Sequence, residues 1–177
     1  MIGQMTVANG PIRLRPIVAD DIIHIHQGLS HPDVIKHYAV SFPTLEATQE
    51  QMDWYASLER DGTGQWWSMR NQRDDAFLGA IGINNIEQPH RRCELGFWLL
   101  PQHWRKGIIR QALPQVLDHA FNGRGLHRIM AEVETDNVAS ARVLLQAGFL
   151  HEGTLRQCEW KNGVPISLDI FAKLSKE

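Results

Sequence analysis

Apolar and polar positions recur along this chain with two different periods, and the switches between them mark out its elements. Ile12 and Leu14 alternate with Arg13 and Arg15 as a short strand, stopped by Pro16, which cannot donate to a ladder. Asp20 and Asp21 then precede Ile22, Ile23, Ile25 and Leu29, which are acids at the head of a helical apolar stripe. Residues 30–43 read as loop, punctuated by Pro32 and Pro43, with room for one helical turn. Thr44 caps a helix through Arg60, whose Leu45, Met52, Tyr55 and Leu58 keep helical spacing, and Asp61-Gly62-Thr63-Gly64 ends it.

From Trp66 the period changes to two. Residues 66–70, 77–86 and 92–100 read as three strands of a meander, with polar turns at 71–75 and 87–90. Residues 107–121 are helical, with Ile109, Ala112, Leu113, Val116, Leu117 and Ala120 on one side and a bend expected at Pro114. A strand follows at 128–134 and a helix at 138–147, stopped by Gly148. Residues 149–155 and 166–174 are the last two strands, with a turn at Asn162-Gly163 between them. This order predicts an α/β domain spanning residues 1–177, one mixed sheet of seven strands with helices on both faces.

A chain of 177 residues fits one domain, and at that size folding buries roughly 70% of the unfolded surface. The net charge of −2 and pI of about 6.5 argue against non-specific nucleic-acid binding, which needs a basic face, but allow an acidic pocket for a cationic amine. The opening MIGQMTVANGPIRLRP lacks a basic segment followed by an apolar one, so no secretory signal is expected. No apolar run approaches the roughly eighteen residues of a membrane span. Cys93 and Cys158 make neither a disulfide framework nor a CxxC pair and suit a reducing cytoplasm. Nine histidines occur without HExxH or zinc spacing, so no metal is expected and each reads as a satisfied or exposed residue.

The most informative stretch is GFWLLPQHWRKGII, where an apolar strand ends at Pro101 and a helix begins near Gly107. The first N–H groups of a helix lack partners and the dipole is positive there, which makes an anion site. Gly107 lets backbone approach a phosphate, and Arg105, Lys106 and Arg110 add positive charge. Neither a Walker loop nor a dinucleotide fingerprint is present. The residues alone leave two readings open, a pyrophosphate site or an ordinary strand–helix turn with a solvated basic face.

With this turn, the GAIGI segment at 79–83 and the run from Glu94 to Asp169, the chain resembles the GNAT superfamily of acetyltransferases over almost its whole length. Within that superfamily it is similar to the Rim-like branch acting on ribosomal-protein N-termini. The resemblance implies a mostly antiparallel sheet, acetyl-CoA as cosubstrate and direct transfer to an amine in a ternary complex. It further implies a cytoplasmic enzyme, with a homodimer as a common state of the family. The turn would cradle the CoA pyrophosphate with the N–H groups of Trp104, Arg105, Lys106, Gly107, Ile108, Ile109 and Arg110, while Phe97, Trp98 and Leu99 would line the donor arm. Two positions depart from the family: Arg105 stands where Gly or Gln is usual, and Ile109 where Gly, Ala or Met is usual.

Amide formation needs a deprotonated amine, a stabilised oxyanion and a proton for the thiolate. Deprotonating a lysine at neutral pH costs about 3 kcal/mol more than deprotonating an α-amine, which favours an α-amine if the base is modest. In Glu94-Leu95-Gly96-Phe97-Trp98-Leu99 the period of two puts Glu94, Gly96 and Trp98 on one face. Glu94 is thus either a solvent-facing residue or, as the resemblance implies, the general base, acting through water. Asn137 reads as a helix N-cap, and Ser140 lies in the first turn. By resemblance Asn137 would meet the pantetheine arm. Leu144 replaces the family's tyrosine acid, so Ser140 would serve the departing thiolate. Trp160, beside Glu159 near the last hairpin, Tyr38 in the 31–43 loop, and Trp66 with Trp67 would wall an acceptor pocket, where Glu94 also stands. The expected acceptor is a protein or peptide N-terminal α-amine. Polyamines or aminoglycosides are the alternative, with Glu94, Glu152, Glu159 and Asp169 as acids for a polyamine. A non-catalytic acyl-CoA sensor is the third reading.

Overall fold

The computed structural model describes residues 11–177; residues 1–10, on which the expected absence of a secretory signal rests, lie outside the described residues. Seven strands form one sheet: β1 (Ile12–Pro16), β2 (Gln65–Asn71), β3 (Phe77–Glu87), β4 (Arg92–Leu99), β5 (Arg128–Glu134), β6 (Leu150–Lys161) and β7 (Val164–Leu174). Their spatial order is β1-β2-β3-β4-β5-β7-β6. Every neighbouring pair is antiparallel except β4 and β5, which run parallel. The mixed, mostly antiparallel sheet is the expected one. The hairpin strands β6 and β7 are longer than their patterning predicts and run up to the Asn162-Gly163 turn. Their ladder slips between Leu155 and Glu159, which breaks the alternation that would have marked the continuation.

Helices α1 (Ile22–Leu29), α2 (Pro32–Ile35) and α3 (Leu45–Asp61) cover one face, and α4 (Ile108–Asp118) and α5 (Val138–Gln146) the other. Each face has its own core. Ile109, Ala112, Leu113 and Val116 of α4 pack with Trp67, Met69, Ile81, Leu95 and Ile129. Ile25 and Leu29 of α1 and Met52, Tyr55 and Leu58 of α3 pack with Trp66, Phe77 and Trp98. The Thr44 hydroxyl accepts the Ala47 N–H at 3.1 Å, and Gly62 closes α3 at φ +70°. Pro114 lies inside α4, where it cannot donate to the carbonyl four residues before it, and the helix continues to a π turn at His119–Gly123. Gly28 sits within α1 because the Trp98 ring lies where a side chain would be: a Cβ there would fall 2.0 Å from the indole.

The feature that positions the site is where pairing stops. The β4–β5 ladder spans only Arg92–Glu94 against Arg128–Met130. Past that point β4 stays paired with β3 to Leu99 and β5 with β7 to Glu134. The two parallel strands therefore part, and the sheet opens in its middle with unpaired backbone along both edges of the gap. Such groups need partners from elsewhere.

Candidate active site

One cavity, of about 450 Å³, lies on this gap. Phe97, Trp98 and Leu99 of β4 form one side and Val138, Ala139, Ser140 and Val143 of α5, with its N-cap Asn137, the other; Trp104, Arg105 and Ile109 lie at one end, and Asp33, Val34, His37, Tyr38 and Asp136 complete the lining. The Trp98 ring belongs to the core beneath α1, so it is the strand at Trp98, not an exposed indole, that borders the gap.

The turn into α4 is built from two left-handed residues. Arg105 has φ +59° and Gly107, the N-cap of α4, has φ +69° with no side-chain cap. A positive φ is free for glycine and costs other residues about 1–2 kcal/mol, a cost that Arg105 bears. Side chains of Ile108 and Ile109 are buried, which resolves the departure at Ile109: its bulk enters the core and leaves the first-turn N–H groups clear. The Trp104 indole donates to the Leu99 carbonyl at 2.9 Å and ties the turn to the end of β4. Lys106, Gly107, Ile108 and Arg110 stand beyond the cavity lining, at the head of α4.

At the start of α5 the Asn137 side-chain oxygen accepts the Ser140 N–H at 3.2 Å, so Asn137 is an N-cap and also lines the cavity. Capping occupies its oxygen and leaves its NH₂ group for a ligand. Leu144 is fully buried and outside the lining.

A second cavity, of about 330 Å³, adjoins the first. Glu94, Glu132, Glu134 and Glu159 give it four carboxylates against one cation, Lys161, and Trp54, Trp66 and Trp160 give it aromatic walls. Tyr38, Trp66, Glu94 and Trp160 all line this cavity. Trp67 is not among them, because the period of two turns it into the opposite core. Glu152 and Asp169 are also absent: Glu152 pairs with Arg128, and Asp169 accepts from Thr154 and pairs with His151. Glu132 and Glu134 take their place. They alternate with the buried Ala131 and Val133, a pattern visible in the sequence and overlooked there.

Glu94 is half-buried, and its Oε2 accepts the Asn85 amide at 3.0 Å. Asn85 stands at φ +51° where the β3–β4 ladder is irregular, and this irregularity aims it at Glu94. Burial raises the Glu132 carboxyl above its ordinary value, and the charges of Glu94 and Glu159 raise it further. The cavity therefore favours bound positive charge, whether a proton or an ammonium. Burial pushes the Tyr38 phenol well up, with Tyr55 adding, so Tyr38 stays protonated. The Cys93 thiol is pushed up to about 12, first by burial and then by Glu94, which removes it as a nucleophile. The two cavities share His37 and Tyr38.

Residues 12–150 match the acetyltransferase (GNAT) domain family. The chain belongs to this family. As a GNAT acetyltransferase it is an acyltransferase, moving acetyl from acetyl-CoA to an amine, rather than a passive acyl-CoA sensor. An uncharacterized N-acetyltransferase of Bacillus subtilis is 33% identical over 160 residues, 90% of each chain. The ribosomal-protein-serine acetyltransferase of Escherichia coli is 33% identical over 102 residues, 58% of this chain and 57% of that one. The fold is that of the spermidine N-acetyltransferase from Vibrio cholerae solved with CoA and spermine, at a TM-score of 0.85 and 21% identity over 95% of this chain and 98% of that one. Among the described residues of this GNAT enzyme no helix is long and apolar enough to cross a membrane.

Proposed function

We propose that this GNAT enzyme acetylates the N-terminal α-amine of a protein or peptide, ribosomal proteins included, in a single ternary complex. The observation that carries this is the junction of two cavities at the gap between β4 and β5, an uncapped helix N-terminus beyond one and four carboxylates around the other. Acetyl-CoA enters the larger cavity. Its pyrophosphate takes the N–H groups of the turn from Trp104 to Arg110, assisted by the exposed Arg105, Lys106 and Arg110. Its pantetheine supplies the missing partner for the open edge of β4 at Phe97, Trp98 and Leu99 and meets the Asn137 amide. The acceptor ammonium enters between Trp66, Trp160 and the carboxylates, and Glu94 removes a proton through water. Trp160 is 73% exposed at the rim, where a chain can pass outward. The Cys93 thiol, pushed up to about 12 by burial, takes no part.

Ser140 lines the thioester end, and its N–H is already held by Asn137. A neutral hydroxyl donating to a departing thiolate supplies about 1.5–3 kcal/mol. Ser140→Ala should therefore lower kcat roughly ten- to hundredfold, from the same hydrogen-bond energy, with acetyl-CoA Kd nearly unchanged. Steady-state kinetics beside calorimetric titration of acetyl-CoA checks this; an unchanged rate would hand the role to water.

The carboxylates support a second reading, a polyamine acceptor, whose several cations would match Glu94, Glu132, Glu134 and Glu159. Peptides starting in Ser or Ala, with Nα-blocked controls and spermidine, separate the two. Turnover of the free peptides alone supports the first reading, and turnover of spermidine alone supports the second.

A further inference from the structure

We infer that His37 carries a proton from the acceptor nitrogen to the CoA sulfur; this rests on the acetyl-transfer reading above. His37 and Tyr38 are the two side chains that line both cavities, and Tyr38, held protonated by burial, cannot accept a proton. The His37 Nδ1 lies 3.2 Å from Glu134 Oε2 and 3.4 Å from Asp136 Oδ1. Glu134 is fixed in turn: its other oxygen takes the Lys161 ammonium at 2.5 Å, and that ammonium also donates to the Lys36 carbonyl. A carboxylate of this kind, 12% exposed and braced by a lysine, fixes the tautomer and the ring plane, as the third member of a nucleophile–base–acid array does. Nε2 has no hydrogen-bond partner among the described residues and is the nitrogen left to the junction.

The ammonium first loses one proton through water to Glu94, which releases it to solvent. The neutral amine attacks the thioester carbonyl, so a C–N bond forms and the carbonyl electrons move to oxygen. The nitrogen is then positively charged. His37 Nε2 takes its proton, the oxyanion collapses, the C–S bond breaks, and the imidazolium returns that proton to the thiolate, which Ser140 hydrogen-bonds meanwhile. His37 ends neutral, the amide and the thiol are formed, and only the first proton leaves to solvent. His37 pairs with Glu134 at the end of β5, with Asp136 after it and, through Glu134, with Lys161 of β6; Asp33, Glu94, Glu132 and Glu159 line the same two cavities.

The test is His37→Ala in the full chain, assayed with the acceptor that the wild type turns over. We expect kcat to fall roughly a hundredfold, within the range for a positioned acid–base group, with acetyl-CoA Kd within twofold of wild type. Added imidazole should restore at least a tenth of the lost rate, because the deletion leaves room at the junction. Glu134→Gln should fall less and gain nothing from imidazole, marking Glu134 as a positioning residue. A rate within twofold of wild type, or a loss that imidazole does not touch and that tracks a weakened acetyl-CoA Kd, would overturn the relay. A wild type that turns over no amine would overturn the acetyl-transfer reading and the relay with it.

Discussion

Asp21→Ala should cost the fold about 3–5 kcal/mol, the usual penalty for removing one partner of a buried ion pair. Asp21 is 2% exposed and Arg70 is 6% exposed; the two are in direct contact. The same carboxylate takes Arg15 at 2.9 Å and, through its second oxygen, the Val18 N–H at 3.0 Å. Its removal leaves the Arg70 guanidinium inside with only the Asp75 carbonyl at 3.0 Å, a long contact to Ser68 and the face of Phe77. Arg15 is 36% exposed and can turn to water, so the penalty belongs to Arg70. These residues join β1, β2 and the entry to α1. A loss of that size takes a large share of a typical stability of about 5–15 kcal/mol. It lowers Tm by roughly 6–20 °C for a chain of this length. Urea unfolding followed by circular dichroism measures it. A change under about 1 kcal/mol would mean that Arg70 finds another partner, the range of ordinary surface substitutions being about 0.5 kcal/mol.

Glu94→Gln should reduce kcat by about 10²–10⁴, the contribution of a positioned acid–base group, while acetyl-CoA binds as before. Glutamine keeps the size of the side chain and can still meet Asn85, so the substitution isolates the loss of charge and basicity. The sign with pH is fixed by the amine. Below the α-amine pKa near 8 the acceptor arrives protonated and needs a base, so the defect is largest there. Above it solvent supplies the free amine and the defect shrinks. A lysine or polyamine acceptor, titrating near 10.4, would keep the defect large through pH 9. The rate ratio of the two proteins across pH 6–9 reads this directly. Full turnover by the variant over that range would remove Glu94 from the mechanism.

Much of this was legible in the sequence because period and burial coincide. The face carrying Glu94, Gly96 and Trp98 is opposite that of Leu95, with Phe97 and Leu99 packed on the Leu95 side, as the alternation predicts. The turn before α4 was legible from Gly107, since a left-handed N-cap with free N–H groups has few residues that can build it. The gap between β4 and β5 was not, because the end of a parallel ladder depends on where two strands diverge in space and leaves no period behind. Trp67 is no pocket wall beside Trp66, because adjacent strand residues face opposite ways and its ring lies in the core on the other side of the sheet. Charge alone does not make Glu152 and Asp169 pocket acids; their partners Arg128 and Thr154, on neighbouring strands, leave no trace in the spacing. His37 had no local signal. Its place comes from a loop folding against the ends of β5 and β6, where Glu134 and Lys161 meet it from distant parts of the chain.

The most direct measurement is release of CoA thiol from acetyl-CoA by the wild-type protein with peptides of ribosomal-protein N-termini, their Nα-blocked forms, spermidine, an aminoglycoside and free amino acids. Turnover with free-N-terminus peptides and none with the blocked forms is the predicted result. Thiol release confined to spermidine or another small amine, or none with any amine while acetyl-CoA still binds, would contradict it.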